Sequence, residues 1–442
     1  MNKPLFYKLI SLCIIMLLLS IALSIIESKI DSRSATRDAA VTGIAQQFAK
    51  QQVISGPIIW LGCEESQFST HMDEQGKPYE SMIDNKLNCS RAVRPIKHKV
   101  DGQLLVNERY RGIYKARVYN AKLRLQDSFQ KIELKPNQRI THASLDYGVS
   151  DARGIKSIEI SPVFGKNLEV KSSANKDSFG SGFHVELDVA DLMASSGFDV
   201  QSNLEVAGTS QINFLPVGEV NDISLTSPWP HPNFSGNFLP DTPVVTDDGF
   251  KARWRINDFA TGGDVVLSGQ NNMTLGVALI DPLDGYTQSN RAVKYGFMFV
   301  LLTFGGFFLF ELVKRSPVHP IQYLFIGLAV SIFFLLLVAL SEHIYFKTAY
   351  LIAATACVLL ISGYGRSILD SWKAGFTLMT AYSALYFGMY QLLASEDYAF
   401  MLGAWLMFGA LAFFMFLTRR LNWYQVDQKV KPLLGEDLNG KL

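Results

Sequence analysis

The sequence predicts a membrane protein with six transmembrane α-helices in a one-plus-five arrangement around a large, mainly β, sandwich-like domain. Three observations carry this. Apolar stretches of spanning length crowd the last third of the chain, at 295–313, 321–341, 348–365, 374–395 and 398–418. A sixth stands alone at 9–26. The roughly 265 residues between them are polar and strand-like, with no stretch long enough to cross a hydrocarbon layer as a helix. The predicted units are an anchor at 1–27, a β-rich domain at 28–293, a five-helix bundle at 294–424 and a tail at 425–442.

The first apolar stretch follows Lys3 and Lys8, as a signal peptide's does. It is long for a cleaved segment, however, and runs into Glu27-Ser28-Lys29 with no small-residue cleavage site between. It therefore reads as an uncleaved anchor. Beyond it, Ala39, Ile44, Phe48 and Val53 recur at near-helical spacing, which predicts an amphipathic helix over 33–53 capped by Ser34 or Thr36.

After Gly56-Pro57 the pattern changes. Segments 110–125, 139–149, 155–162, 198–207, 210–217 and 250–257 are short, often alternate, and are parted by Gly, Pro, Asn and Asp. They predict a mostly antiparallel sheet packed as a sandwich.

Lysine and arginine set the orientation. Lys3, Lys8, Lys314, Arg315, Arg366, Lys373, Arg419 and Arg420 fall on one side of a six-span chain. The opposite short loops, Glu342–Lys347 and Glu396-Asp397, hold one lysine. Both termini are expected in the cytoplasm, and the large domain in the periplasm of a Gram-negative cell. Tyr295, Tyr323, Tyr345, Tyr350, Trp372, Tyr398, Trp423 and Tyr424 are expected to anchor the interfaces. In an oxidising compartment Cys63 and Cys89 are expected to pair, the alternative being two free thiols buried apart.

Two clusters in the domain invite a functional reading. Asp151 and Arg153, in Ser150–Ile155, suit an Arg-centred anion site. They suit better a turn in which Asp151 caps backbone amides and Arg153 pairs with a carboxylate. Ser227-Pro228-Trp229-Pro230-His231-Pro232 holds three prolines in five residues, so it is no interior strand. Such a loop either presents Trp229 and His231 to a partner or folds back to cap the sandwich, and the sequence leaves both open.

In the bundle every charge sits at a boundary, where it pairs or snorkels: Glu311 before Lys314, Glu342 and His343 after the third span, and Glu396-Asp397. No charge stands at mid-span, so an ion path or proton relay lacks its usual signature. Ser341, Glu342 and His343 are adjacent on a helix and point about 100° apart, so they do not form a triad alone. No phosphate-binding glycine loop, HExxH or GxSxG motif occurs. Lys and Arg (41) nearly balance Asp and Glu (40), which argues against nucleic acid as a partner. No enzyme activity, metal or cofactor is expected.

Several longer strings resemble one family nearly end to end. They are Gly56-Pro57, Ser150–Ile155, Ser224–Pro232 with Phe238-Leu239-Pro240, Arg291-Ala292, Lys294-Tyr295, Phe310-Glu311, His319-Pro320 with Gln322-Tyr323-Leu324, Leu340–His343, Thr418-Arg419 and Trp423-Tyr424. The chain resembles the CreD family of bacterial inner-membrane proteins, also described as cell-envelope integrity or colicin-tolerance proteins. The resemblance implies expression under a two-component sensor–regulator pair, a link to envelope integrity and, in some bacteria, to the β-lactam response. It carries over no catalytic residue and no cofactor, and it does not cover the Cys63–Cys89 region.

The leading expectation is a non-enzymatic envelope protein whose periplasmic domain binds an envelope protein, lipid or peptidoglycan partner. The rival is a transporter or lipid-handling protein that uses the bundle, or an apolar groove of the domain, as a path. A third reading passes an external signal to the tail at 425–442.

Overall fold

The computed structural model describes residues 3–72, 78–172, 181–262, 273–280, 285–314, 318–395 and 399–419. Two compact units emerge. One joins Met1–Thr36 to Leu283–Leu442, and the other is Arg37–Pro282.

The second unit is built of strands β1 (Gln52–Met72), β2 (Pro78–Val93), β3 (Lys97–Arg111), β4 (Tyr114–Gln130), β5 (Gln138–Val149), β6 (Ile155–Ile160), β7 (Val170–Ser172), β8 (Gly182–Glu186), β9 (Gly197–Thr209), β10 (Gln211–Phe214), β11 (Val220–Ser227), β12 (Pro232–Gly236), β13 (Val244–Thr246), β14 (Gly249–Asn257) and β15 (Leu275–Leu279). An eight-stranded sheet runs β12-β15-β10-β1-β5-β8-β7, with β2 paired to β1. A seven-stranded sheet runs β13-β14-β11-β3-β4-β9-β6. Pairing is antiparallel except for β1 with β10 and β3 with β11. One apolar cluster draws on both sheets, with Ile59, Leu145 and Val277 from the first and Leu104, Leu225 and Trp254 from the second. This is the two-layer packing expected of a sandwich.

Two sequence expectations change here. The helix expected over 33–53 ends at Gln47, and Val53 lies in β1, paired with Asn213. A non-local ladder takes over residues whose local spacing reads as helical. The segment 110–125 is no single strand: Gly112 and Ile113 turn β3 into β4. Gly112 has φ +63°, the left-handed value that a two-residue hairpin turn asks of its first central residue. Gly56-Pro57 lies inside β1, where the register shifts against β5 between Ser55 and Ile58. Gly56 has φ +87°, and a Cβ there would stand 2.6 Å from the Asp146 carbonyl oxygen.

The first unit is helical. Its elements are α1 (Lys3–Gln47), which runs on past Thr36 into the other unit, then α4 (Gly285–Lys294), α5 (Gly296–Lys314), α6 (Pro320–Ser341), α7 (Phe346–Leu369), α8 (Trp372–Ala394) and α9 (Ala399–Thr418). The two short helices α2 (Val189–Ala194) and α3 (Asp258–Thr261) belong to the β unit. Leu12, Ile15, Leu19, Leu23, Ile26 and Ile30 form a buried stripe along α1 at spacings of three and four. The stripe meets glycines: a Cβ on Gly327 would stand 2.1 Å from Leu19, and one on Gly296 3.0 Å from Leu23. Small residues at such crossings let helices approach closely.

Among the described residues four helices are long and apolar enough to span a membrane: α1, α6, α7 and α9. The pair α4 and α5, bent by 49°, makes a fifth if it counts as one span. The 23-residue α8 has the length but carries Thr377, Thr380, Tyr382, Ser383, Tyr386, Tyr390 and Gln391. Apolar length alone therefore stops short of six.

Candidate functional site

The outer face of the seven-stranded sheet holds an open trough of about 630 Å³. Alternation builds it. On β3, His98, Val100 and Leu104 are buried while Lys97, Lys99 and Gln103 are exposed, so every second residue faces away from the core. Strand register then sets these residues in rows across five strands. One row is Ser224, Asp101, Arg124, Asn203 and Glu159; the next is Thr226, Gln103, Lys122, Glu205 and Ser157. All ten line the trough, together with Gly102, Leu123 and Leu204. Cations, carboxylates, amides and hydroxyls are interleaved within a few ångströms, so the surface both donates and accepts hydrogen bonds. Burial alone would push the Asp101 carboxyl up, but the Ser224 hydroxyl at 2.7 Å and Lys99 at 3.0 Å outweigh it and hold the acid below its ordinary range.

The residues singled out in the sequence lie elsewhere. Asp151 caps the short 3-10 turn Ala152–Gly154, accepting from the Arg153 amide and, at 2.9 Å, from the Lys50 amide. The Arg153 guanidinium folds back on Asp151 at 2.6 and 2.8 Å and donates to the Gln46 carbonyl at 2.6 Å. Chiefly through Arg153, the Asp151 carboxyl is held down at about 2. The pair thus clasps the end of α1 to the start of β1 and β6.

Trp229 is half-buried against the sandwich core, its indole N–H donating to the His231 carbonyl at 3.0 Å. The Arg117 guanidinium lies 4.6 Å from its ring centre. Phe234 and Phe238 also pack on the core, and Trp254 donates to the Phe238 carbonyl. Pro232 opens β12, an edge strand, where a missing amide donor costs no ladder bond. The proline-rich segment folds back onto the sandwich, while His231 stays exposed. Cys63 and Cys89 are cross-strand partners in β1 and β2, joined as a disulfide with a Cα–Cα distance of 4.9 Å.

The comparisons with known proteins meet this geometry. The family profile of "Inner membrane protein CreD" matches residues 4–424. The curated "Inner membrane protein CreD" of Escherichia coli (strain K12) is 33% identical over 434 residues, covering 96% of this chain and 95% of that one. This chain belongs to the CreD family. It is an inner membrane protein with an N-terminal apolar helix, several further apolar helices and a large mainly β domain. Among solved structures, a crystal structure of the M1 zinc metallopeptidase from Deinococcus radiodurans aligns over 42% of each chain at 8% identity. Its TM-score of 0.19 is too low to carry an argument.

The family strings in the bundle do structural work. His319 caps α6 in a reciprocal capping box with Gln322, and Pro320 fills the first turn, where no amide partner is needed. Glu311 is paired with Lys8 and accepts from the Tyr323 hydroxyl at 2.8 Å, while Lys8 also donates to the Val318 carbonyl at 2.9 Å. Glu342 accepts from Tyr286 at 3.1 Å and faces Arg33 at 3.7 Å, and His343 is exposed. Ser341 instead donates to the Val338 carbonyl, so the three neighbours do not converge.

Two expected interface anchors are corrected. Tyr323 and Tyr350 are buried at 0% and 4% exposure and belong to the bundle core, because their hydroxyls find partners there. Tyr345 and Trp372 are exposed, and Arg366 lies on the Trp372 ring. Glu396-Asp397 and the tail at 425–442 lie outside the described residues.

The trough is what sequence reasoning missed. Its residues occur as pairs two apart: Asp101 and Gln103, Lys122 and Arg124, Ser157 and Glu159, Asn203 and Glu205, Ser224 and Thr226. That spacing marks one face of a strand. Only the register shows that five such faces meet.

Proposed function

We propose that this CreD-family protein is a non-enzymatic inner-membrane protein supporting the cell envelope, whose β domain binds a polar envelope component in the trough. The trough is the single observation that carries this reading. Its donors and acceptors suit a ligand rich in hydroxyls and amides, or a zwitterionic one. Its lining holds no aromatic platform and neither histidine nor cysteine, and the Ser224 hydroxyl donates to the Asp101 carboxylate.

The chain crosses the membrane six times, with α8 as a span, both termini cytoplasmic and the β domain in the periplasm. Lysine and arginine placement supports this, and so do the paired charges near the ends of the apolar run of α1, Lys8 with Glu311 and Arg33 with Glu342. The described centre of the bundle is filled by the rings of Phe299, Phe333, Tyr350 and Tyr386 at centroid distances of 4.9 to 5.5 Å, which favours a scaffold over a transport path.

Photo-crosslinking in intact cells tests the binding. A crosslinker at Gln103 or Asn203 should capture a species that one at Asp199, outside the trough, does not. The double variant Lys122→Glu/Arg124→Glu should abolish the capture without loss of folded protein. Equal capture at all three positions, or capture that survives the charge reversal, would refute it. A reporter fused at residue 200 that proves active only in the cytosol would overturn the orientation.

A further inference from the structure

The β3–β4 hairpin carries a second surface, distinct from the trough. Residues 107–113 and Lys115 are all exposed at its tip. From 107 to 115 the chain sets Arg109, Arg111 and Lys115 against one carboxylate, Glu108, and interleaves them with Tyr110 and Ile113. Tyr110 is 65% exposed and Ile113 48%. A hairpin turn gains nothing in stability from two large apolar groups held in water. Cations that alternate with tyrosine and an aliphatic side chain match a lipid interface, where the charges meet anionic headgroups and the rings and alkyl groups enter the boundary layer.

The base of the hairpin is held by the chain that comes from the membrane. Val41, Ile44 and Phe48 of α1 pack with Ala116 and Val118 of β4. Arg109 lies 5.6 Å and Lys156 5.5 Å from the centre of the Phe48 ring, which adds a fourth cation to the same neighbourhood. Val41 follows Ile26, the end of the apolar run of α1, by only fifteen residues. As part of the continuous helix α1 that connection spans about 22 Å. A short tether and a net positive, partly apolar tip are therefore joined in one piece of chain.

We infer that the tip of the β3–β4 hairpin docks on the anionic phospholipid headgroups of the bilayer in which the protein is anchored, with Arg111 and Lys115 meeting the phosphates and Tyr110 and Ile113 entering the interface. The contact requires a lipid surface and is independent of what fills the trough.

Hydrogen exchange read by mass spectrometry, on the full chain in nanodiscs, tests this. One set of discs is phosphatidylcholine alone, and the other carries about a third phosphatidylglycerol. Backbone amides of 107–115 should exchange roughly tenfold more slowly in the anionic discs, and the difference should vanish in about 0.5 M salt. The Arg111→Glu/Lys115→Glu variant should lose it too, while exchange in β9 stays as in the wild type. Should that variant disturb β9, the single exposed substitution Ile113→Asp serves in its place. Equal exchange in both kinds of disc, or lipid-dependent slowing that survives these substitutions, overturns the proposal. Crosslinks from Tyr110 to a protein instead of lipid would do the same.

Discussion

At the heart of the β domain a histidine–carboxyl pair is buried outright, whereas in the bundle charge stands near the ends of the apolar runs and the interior holds hydroxyls. His98 and Asp127, 3% and 1% exposed, are cross-strand partners with Nδ1 and Oδ1 2.6 Å apart. Burial pushes the Asp127 carboxyl up, and His98 works against that. In the bundle Tyr350 donates to the Tyr386 carbonyl at 2.7 Å, and Tyr382 to that of Thr303 at 3.1 Å. The contrast follows from the two surroundings. A ladder fixes two facing side chains so closely that a pair can offset its desolvation, provided both members are present. Within a bilayer an ion at mid-span is costly, and a hydroxyl satisfied by a neighbouring carbonyl is cheap.

The sharpest way to break the comparison is His98→Ala, which strands a buried carboxyl. It should cost about 3–5 kcal/mol in chemical unfolding of the β domain. A cost below about 1 kcal/mol would mean the pair is not a unit. Next comes Cys63→Ala with Cys89→Ala, which reopens a loop of 26 residues. The unfolded chain then regains about 3 kcal/mol of freedom in the loop-entropy account. The midpoint of thermal unfolding should fall in the wild type on reduction and stay unchanged in the double variant.

Glu311→Ala strands Lys8 at the edge of the bundle and should cost about 2 kcal/mol in detergent unfolding. Adding Lys8→Met should recover most of that, which would show that the pair, and not either charge, is what the bundle needs.

The smallest effect concerns Asp151. Its carboxyl is held at about 2 in the folded chain against an ordinary 3.8. A depressed acid stabilises above its unfolded value and loses that contribution as pH falls through the folded one. Wild type should therefore melt higher than Asp151→Asn at pH 5, and the two melting curves should converge between about pH 4 and pH 2.

The bundle was far more legible in the sequence than the β domain. The apolar runs at 321–341 and 398–418 differ from α6 and α9 by a single residue, because spanning length is a local property. Sheet order is not local. β3 lies beside β11 more than a hundred residues on, and the two strands of the first hairpin, β1 and β2, offer no clear alternation to read. Residues such as Asp151 and Arg153 drew attention because two opposite charges stand near one another in the chain. The trough escaped notice because its polar side chains are scattered from Asp101 to Thr226 and gathered only by register.

Lys8 and its partner Glu311 are 303 positions apart. During synthesis at about 5–20 residues per second, the lysine must wait roughly 15–60 seconds before its carboxylate has been made. For that interval the first helix sits in the bilayer with its stripe of leucines and isoleucines turned to lipid or to a chaperone, while the whole sandwich is made. A ribosome stalled anywhere before residue 311 thus leaves Lys8 without its carboxylate.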